Sequence, residues 1–265
     1  MNNLDLRAIS ASVEALSLAI GSYISNERVE AKAVQTKSFN NLVSHVDREA
    51  EDRFVNGLKV ILPEAGFIGE EGHFDRSDSG WDWIIDPLDG TTNYLHGIPF
   101  WCTSVALVYN NEPVLGVIYS PVTSEMFSAW KGGGAFLNGS VCKVSDVQFL
   151  NKSLIATGFP YDDFGKQEAY MHLLKELMPK CRGIRRIGSA ALDLAYVACG
   201  RFESFYEYGL NSWDVAAGVI IVREAGGTVT NFKNMPEAVF SEELCATNAL
   251  VHQELLEMIR IHFLR

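Results

Sequence analysis

The sequence predicts a mixed α/β protein of two closely joined subdomains, and three observations carry that expectation. The chain has 265 residues, 48% of them hydrophobic, which is too long for one minimal domain and apolar enough for a large core. Between about residues 66 and 139, strand-length apolar runs follow one another, separated by turn residues. Around residues 145–153 the pattern changes to strands alternating with helices. The expected division is therefore an N-terminal α+β subdomain over 1–148 and a C-terminal α/β subdomain over 149–265.

Residues 4–25 predict an amphipathic helix, because Leu6, Ile9, Val13, Leu16, Ile20 and Ile24 recur near helical spacing. Residues 26–43 are mixed and polar and predict a loop or hairpin containing Lys37. A second helix is expected from Ser44 to about Leu62, stopped by Pro63. Ser44 and Asp47 have the spacing of a capping box, with Asp in place of Glu, so Asp47 has a structural explanation of its own. The segment Gly66-Phe67-Ile68-Gly69-Glu70-Glu71-Gly72 reads as a short strand ending in two adjacent carboxylates. Neighbours on a strand point to opposite faces, so one Glu can face a site while the other faces away. An exposed acidic turn explains the same residues.

The stretch that organises the chain is WDWIIDPLDGTTN, Trp81 to Asn93. Trp83, Ile84 and Ile85 suit a buried strand, which Asp86 ends and Pro87 keeps from continuing. Asp89 follows three residues later, so two carboxylates can converge at the strand's end. Gly90 permits a sharp turn, and Thr91, Thr92 and Asn93 are residue types that open helices. Helix starts carry free N–H groups that bind anions. Carboxylates beside an anion site are compatible when cations sit between them, and hard oxygen ligands point to Mg²⁺. Two turn aspartates and a helix cap explain the fragment alone equally well.

Strands are expected over Cys102 to Tyr109 and Val114 to Ser120, joined as a hairpin through Asn110 to Pro113, and over Glu125 to Trp130. Gly132-Gly133-Gly134 lacks the following Lys-Ser/Thr of a phosphate-binding loop and reads as a turn before a strand at 135–137. Then come a strand at Ser153 to Thr157, a helix over about 164–178, a strand at Ile184 to Ile187, a helix from Ser189 to Cys199 stopped by Gly200, and a strand at Phe202 to Glu207. In the next helix Ser212 is the expected N-cap, and Asp214 lies in the first turn, where its charge suits the dipole. Val219 to Val222 are apolar nearly all round, so that helix is buried. A surface helix over about 248–263 ends the chain.

The net charge is −11, from 33 acidic and 22 basic residues, which disfavours a nucleic-acid-binding surface. The five cysteines, Cys102, Cys142, Cys181, Cys199 and Cys245, are scattered and form no C-x-x-C pair. Reduced thiols in a cytoplasmic protein are expected. No signal peptide is expected, and no run is expected to approach the length of a membrane span.

Three motifs together, GEEG (69–72), WIIDPLDGTTN (83–93) and WDVAAGVIIVREAGG (213–227), strongly resemble the inositol monophosphatase family of lithium-sensitive, Mg²⁺-dependent sugar phosphatases. The resemblance runs from Lys37 to about Asn231. It implies a layered αβαβα sandwich with the site in the cleft between the subdomains, and a homodimer. It implies that Glu70, Asp86 and the Leu88 carbonyl hold a first Mg²⁺, that Asp86, Asp89 and Asp214 hold a second, and that Glu70 helps with a weaker third. Gly90 and Thr91 would present N–H groups to the phosphate. The Thr91 hydroxyl and Asp47 would orient and deprotonate the attacking water, and Ala190 and Glu207 would contact ring hydroxyls of the substrate. Gly72 stands where the family often has Ser, and Leu88 where Ile is commoner; neither change removes a ligand.

The implied reaction is hydrolysis of a phosphate monoester by water, with inositol 1-phosphate as the expected substrate. Fructose 1,6-bisphosphate, 3′-phosphoadenosine phosphate and histidinol phosphate are alternatives on the same fold. A reading from another class is a non-catalytic regulatory protein with protein or RNA partners. No membrane partner is expected.

Overall fold

The computed structural model describes residues 4–27, 35–38, 41–43, 45–72, 74–160 and 164–264. Helix α1 (Leu6–Asn26) starts at Asp5, whose carboxylate accepts the Ala8 N–H at 3.0 Å. The polar stretch after it contains an antiparallel hairpin, β1 (Gln35–Ser38) and β2 (Asn41–Val43). Lys37 lies in β1; its side chain, and the whole of Ser44, lie outside the described residues. Helix α2 (His45–Ile61) ends just before Leu62 and Pro63.

Strands β3 (Gly66–Gly69), β4 (Phe74–Asp75) and β5 (Trp81–Asp89) lead to a short helix, α3 (Thr91–Leu95). Then follow β6 (Cys102–Tyr109), β7 (Glu112–Ser120), β8 (Glu125–Trp130), β9 (Gly134–Leu137) and β10 (Ser140–Cys142). They form an eight-stranded sheet ordered β10-β9-β8-β7-β6-β5-β3-β4. Only β3 and β5 run parallel; the other neighbours are antiparallel. Asn110 and Asn111 turn the β6–β7 hairpin with φ of 49° and 68°, a left-handed pair whose twist matches the strands.

The second half contains β11 (Leu154–Thr157), α4 (Gln167–Leu177), β12 (Gly183–Arg185), α5 (Ala190–Ala198), β13 (Ser204–Tyr208), α6 (Ser212–Glu224), β14 (Thr228–Thr230), β15 (Glu243–Thr247) and α7 (His252–Phe263). Its sheet is ordered β12-β11-β13-β15-β14, with β11 parallel to β12 and β13 and the remaining pairs antiparallel.

The layers follow from which faces are apolar. α1 and α2 cover one face of the large sheet, where Val13, Ile20, Phe54 and Leu58 meet Trp83, Ile85 and Val105. α5 and α6 lie between the sheets: Leu194, Val219 and Ile220 join Ile84 and Phe127 on one side to Phe205 and Ala246 on the other. α4 and α7 close the outer face, with Leu173, Leu177, Leu255 and Ile259 against Tyr206 and Cys245. This is the expected helix–sheet–helix–sheet–helix sandwich. Small residues set its spacing, since a Cβ on Gly116 of β7 would come within 2.6 Å of the Ala217 carbonyl oxygen of α6.

Four local expectations need correction. The strand does not end at Asp86: β5 runs through Pro87 to Asp89, because a bulge absorbs the proline's missing N–H. The N-cap of α6 is Asn211 rather than Ser212. β4, β10, β14 and β15 were not foreseen; the first three have two or three residues each and β15 mixes Glu, Ala and Cys, so none shows a clear period. α1 is long and apolar enough to cross a membrane by length and composition. Its leucines, isoleucines and alanines raise the mean, its serines and Glu14 interrupt the run, and its Val13, Ile20 and Ile24 are buried against the protein.

A pH prediction follows from His252. Its ring lies between Thr230 Oγ1 (3.1 Å from Nε2) and Thr247 Oγ1 (3.1 Å from Nδ1), and burial lowers its pKa below the ordinary 6.5. The unfolded chain then takes up a proton that the folded chain refuses, so stability is lost as pH falls below about 6.5. In thermal melts at pH 7.5 and 5.5, His252→Gln should lose less stability between the two pH values than the parent protein. Equal losses would show that His252 does not titrate on unfolding.

Candidate active site

The site is built on one irregularity in β5. Asp86 lies opposite Ser104, and Asp89 lies opposite Cys102. Three steps on β5 therefore match two on β6. In a regular strand, residues three apart face opposite sides; the extra residue turns Asp89 to the same face as Asp86. The Leu88 N–H donates to Asp86 Oδ1 at 2.9 Å and holds the bulge. Leu88 points the other way, into the core beneath α1 and α2. Gly90, at φ 93°, then turns the chain into α3.

Around this strand end opens a cavity lined by Glu70, Asp86, Leu88, Asp89, Gly90 and Thr91 from the first half of the chain. Arg186, Ala190, Asp193, Glu207 and Asp214 line it from the second half. Nearly all the residues singled out from the sequence thus meet. Asp47 does not line the cavity but stands behind Thr91: it is 1% exposed, and the Thr91 hydroxyl lies 3.0 Å from its Oδ1. The same hydroxyl lies 2.8 Å from the Leu88 carbonyl oxygen. Asp214 accepts the Asn211 N–H at 2.6 Å, so it closes its own helix start while facing the cavity.

Asp89 is gripped from the second half. The Ser189 hydroxyl donates to Asp89 Oδ2 at 2.6 Å, and the Ala191 N–H does so at 2.7 Å. Asn93 adds another tie, donating to the Ile187 carbonyl at 2.9 Å and to the Phe100 carbonyl at 2.8 Å.

The electrostatics are unfavourable to bare carboxylates. Burial pushes Asp86 well above the usual carboxylate range, and Glu70, Asp89 and Asp214 add to the rise. Asp214 is raised by burial, against the pull of the Asn211 N–H. Burial pushes Asp89 up to about 6, with the Ser189 hydroxyl and the Ala191 and Ala190 N–H groups holding it down. Glu207 is raised by burial and then by Asp193 and Asp214. An all-oxygen cluster of this kind fits hard divalent cations. Among the described residues no three such side chains already form a ligand shell around one point.

Three contributors escaped the sequence reading. Glu51 is fully buried and accepts the Glu71 N–H at 2.8 Å, bracing the turn that carries Glu70. It lies four residues after Asp47, on the same face of α2, which was the available signal. Ser189 was read only as a helix start. Asp193 was not singled out at all, though it falls three residues after Ala190.

The fold and this acid-lined cleft define a class of phosphatases, and comparison with known proteins agrees. The family model described as the inositol monophosphatase family matches residues 5–262, and the chain belongs to that family. It is 39% identical to Nus factor SuhB of Pseudomonas aeruginosa over 99% of this chain and 96% of that one. It is 40% identical to inositol-1-monophosphatase of Mesorhizobium japonicum over 88% of each. The solved structure of extragenic suppressor protein suhB from Bartonella henselae superposes with a TM-score of 0.90 at 39% identity, covering 96% of this chain and 98% of that one. The family is generally metal dependent.

The repulsion gives a stability prediction. A carboxyl whose folded pKa is raised loses stability for the fold as pH rises above its unfolded value near 4. Asp86→Asn keeps an acceptor for the Leu88 N–H and removes the charge. In chelator at pH 8 it should melt about 2–8 °C higher, for a gain of about 1–2 kcal/mol. A lower melting temperature would mean that the four acids do not strain the metal-free fold.

Proposed function

We propose that the chain is a Mg²⁺-dependent phosphomonoester hydrolase acting on inositol 1-phosphate, working as a homodimer. The observation that carries the reading is the Thr91 hydroxyl, held between Asp47 and the Leu88 carbonyl beside four carboxylates that share one cavity. Glu70, Asp86 and the Leu88 carbonyl would hold one ion; Asp86, Asp89 and Asp214 a second; Glu70 assists a third. The bound cations would neutralise the acids, polarise the phosphate and make the attacking water more acidic.

The chain's own groups do the rest. Asp47, reached through Thr91, takes the proton of the attacking water. The Gly90 and Thr91 N–H groups face the phosphoryl oxygens and steady their charge. Water attacks phosphorus in line with the ester oxygen; the bond from phosphorus to that oxygen breaks, the oxygen takes a proton from solvent as the polyol leaves, and no covalent enzyme intermediate forms. Glu207 and Ala190 stand where ring hydroxyls would lie. The Glu207 carboxylate rests on Gly158, where any Cβ would collide with it, so the glycine leaves the room that the carboxylate occupies. Bisphosphates would meet acids on that wall, which favours a monophosphate. A second reading, that the chain works through a protein or RNA partner, draws on the relative named Nus factor SuhB. The intact acid set supports catalysis beside any such role, and pull-down against phosphate release separates the two.

Phosphate release from inositol 1-phosphate should vanish in chelator and return with Mg²⁺. Asp47→Asn should lower kcat by about 10²–10⁴-fold with little change in KM. Normal kcat with a lowered melting temperature would reduce Asp47 to a helix-start residue. Lithium should inhibit uncompetitively with substrate; no inhibition at any concentration would mean that the second ion position differs from the family's.

A further inference from the structure

Asp193 is a buried acid that the proposed chemistry does not use. It lies in α5, three residues after Ala190, and both line the cavity, as i and i+3 on one helix face must. Its side chain is 2% exposed, and its Oδ1 has no hydrogen-bond partner among the described residues. A buried carboxylate oxygen left without a donor is costly, and the open side of this one is the cavity. Its charged neighbours are Glu207, Asp89 and the Arg186 guanidinium. Arg186 itself lies over the Phe159 ring, 5.4 Å from its centre, at the rim.

We infer that Asp193 is a specificity-determining residue: Oδ1 accepts a hydrogen bond from a ring hydroxyl of a polyol monophosphate, next to the hydroxyl taken by Glu207. The inference rests on the phosphatase reading and deepens it. Two acids on the wall away from the phosphate give the site a paired acceptor surface. Adjacent hydroxyls satisfy both, whereas a second phosphate brings like charge and no donor. Arg186 offsets part of that charge from the rim.

The test compares kcat/KM for inositol 1-phosphate with that for p-nitrophenyl phosphate, which has no ring hydroxyl. Asp193→Ala should lower the ratio of the two about 10–100-fold, the range for losing a bond to a charged acceptor, mainly through KM for inositol phosphate. Asp193→Asn keeps a weaker acceptor and should fall between. An unchanged ratio, whether both rates drop or neither does, overturns the inference. If the parent protein hydrolyses neither ester with Mg²⁺, the phosphatase reading fails separately. Calorimetric binding of inositol 1-phosphate then decides: weaker binding by Asp193→Ala supports the role, and equal binding or none overturns it.

Discussion

One extra residue in β5 governs the site. Were the strand regular, Asp86 and Asp89 would face opposite sides, and one of them would sit under α1 and α2 among Trp83, Ile85 and Val105. The bulge gives both acids the same face and leaves Leu88 to fill the core on the other. Proline suits the position because the bulge asks no ladder bond of it. The Leu88 N–H, freed from the ladder, is used to fix Asp86. Backbone irregularity, side-chain direction and hydrogen bonding are thus one device.

The second half of the chain completes the site by holding what the first half presents. The start of α5 points its Ala191 N–H and the Ser189 hydroxyl at Asp89, which suits the partial positive charge of a helix N-terminus. That arrangement offsets some of the cost of burying the acid, as the Leu88 N–H does for Asp86 and the Asn211 N–H for Asp214.

Much of this was legible in the sequence, for identifiable reasons. Strand-length apolar runs and Gly, Pro and Asn punctuation located β5 to β9, helical spacing located α1, and a capping-box start with Pro63 as the stop located α2. The acids were legible because they fall in dense motifs. The bulge was not, because Pro87 after Asp86 gives the same signal whether a strand stops or kinks. β14 and β15 are short, and pairing across the sheet defines them, β15 with β13 and β14 with β15. Glu51, Ser189 and Asp193 depend on contacts across the fold, and sequence spacing hints at them only after a neighbouring residue has been assigned.

The middle helical layer also fixes an order of events during synthesis. α5 and α6 are encoded after the large sheet, yet they cover its inner face, where Ile84, Ala106, Ile118 and Phe127 lie. From the end of β10 to the end of α6, roughly 80 residues must be made, which takes about 4–16 s at ribosomal speed. A first half folded by itself would have one covered face and one bare apolar face. The packing thus makes the first half's sheet depend on residues that the ribosome adds later.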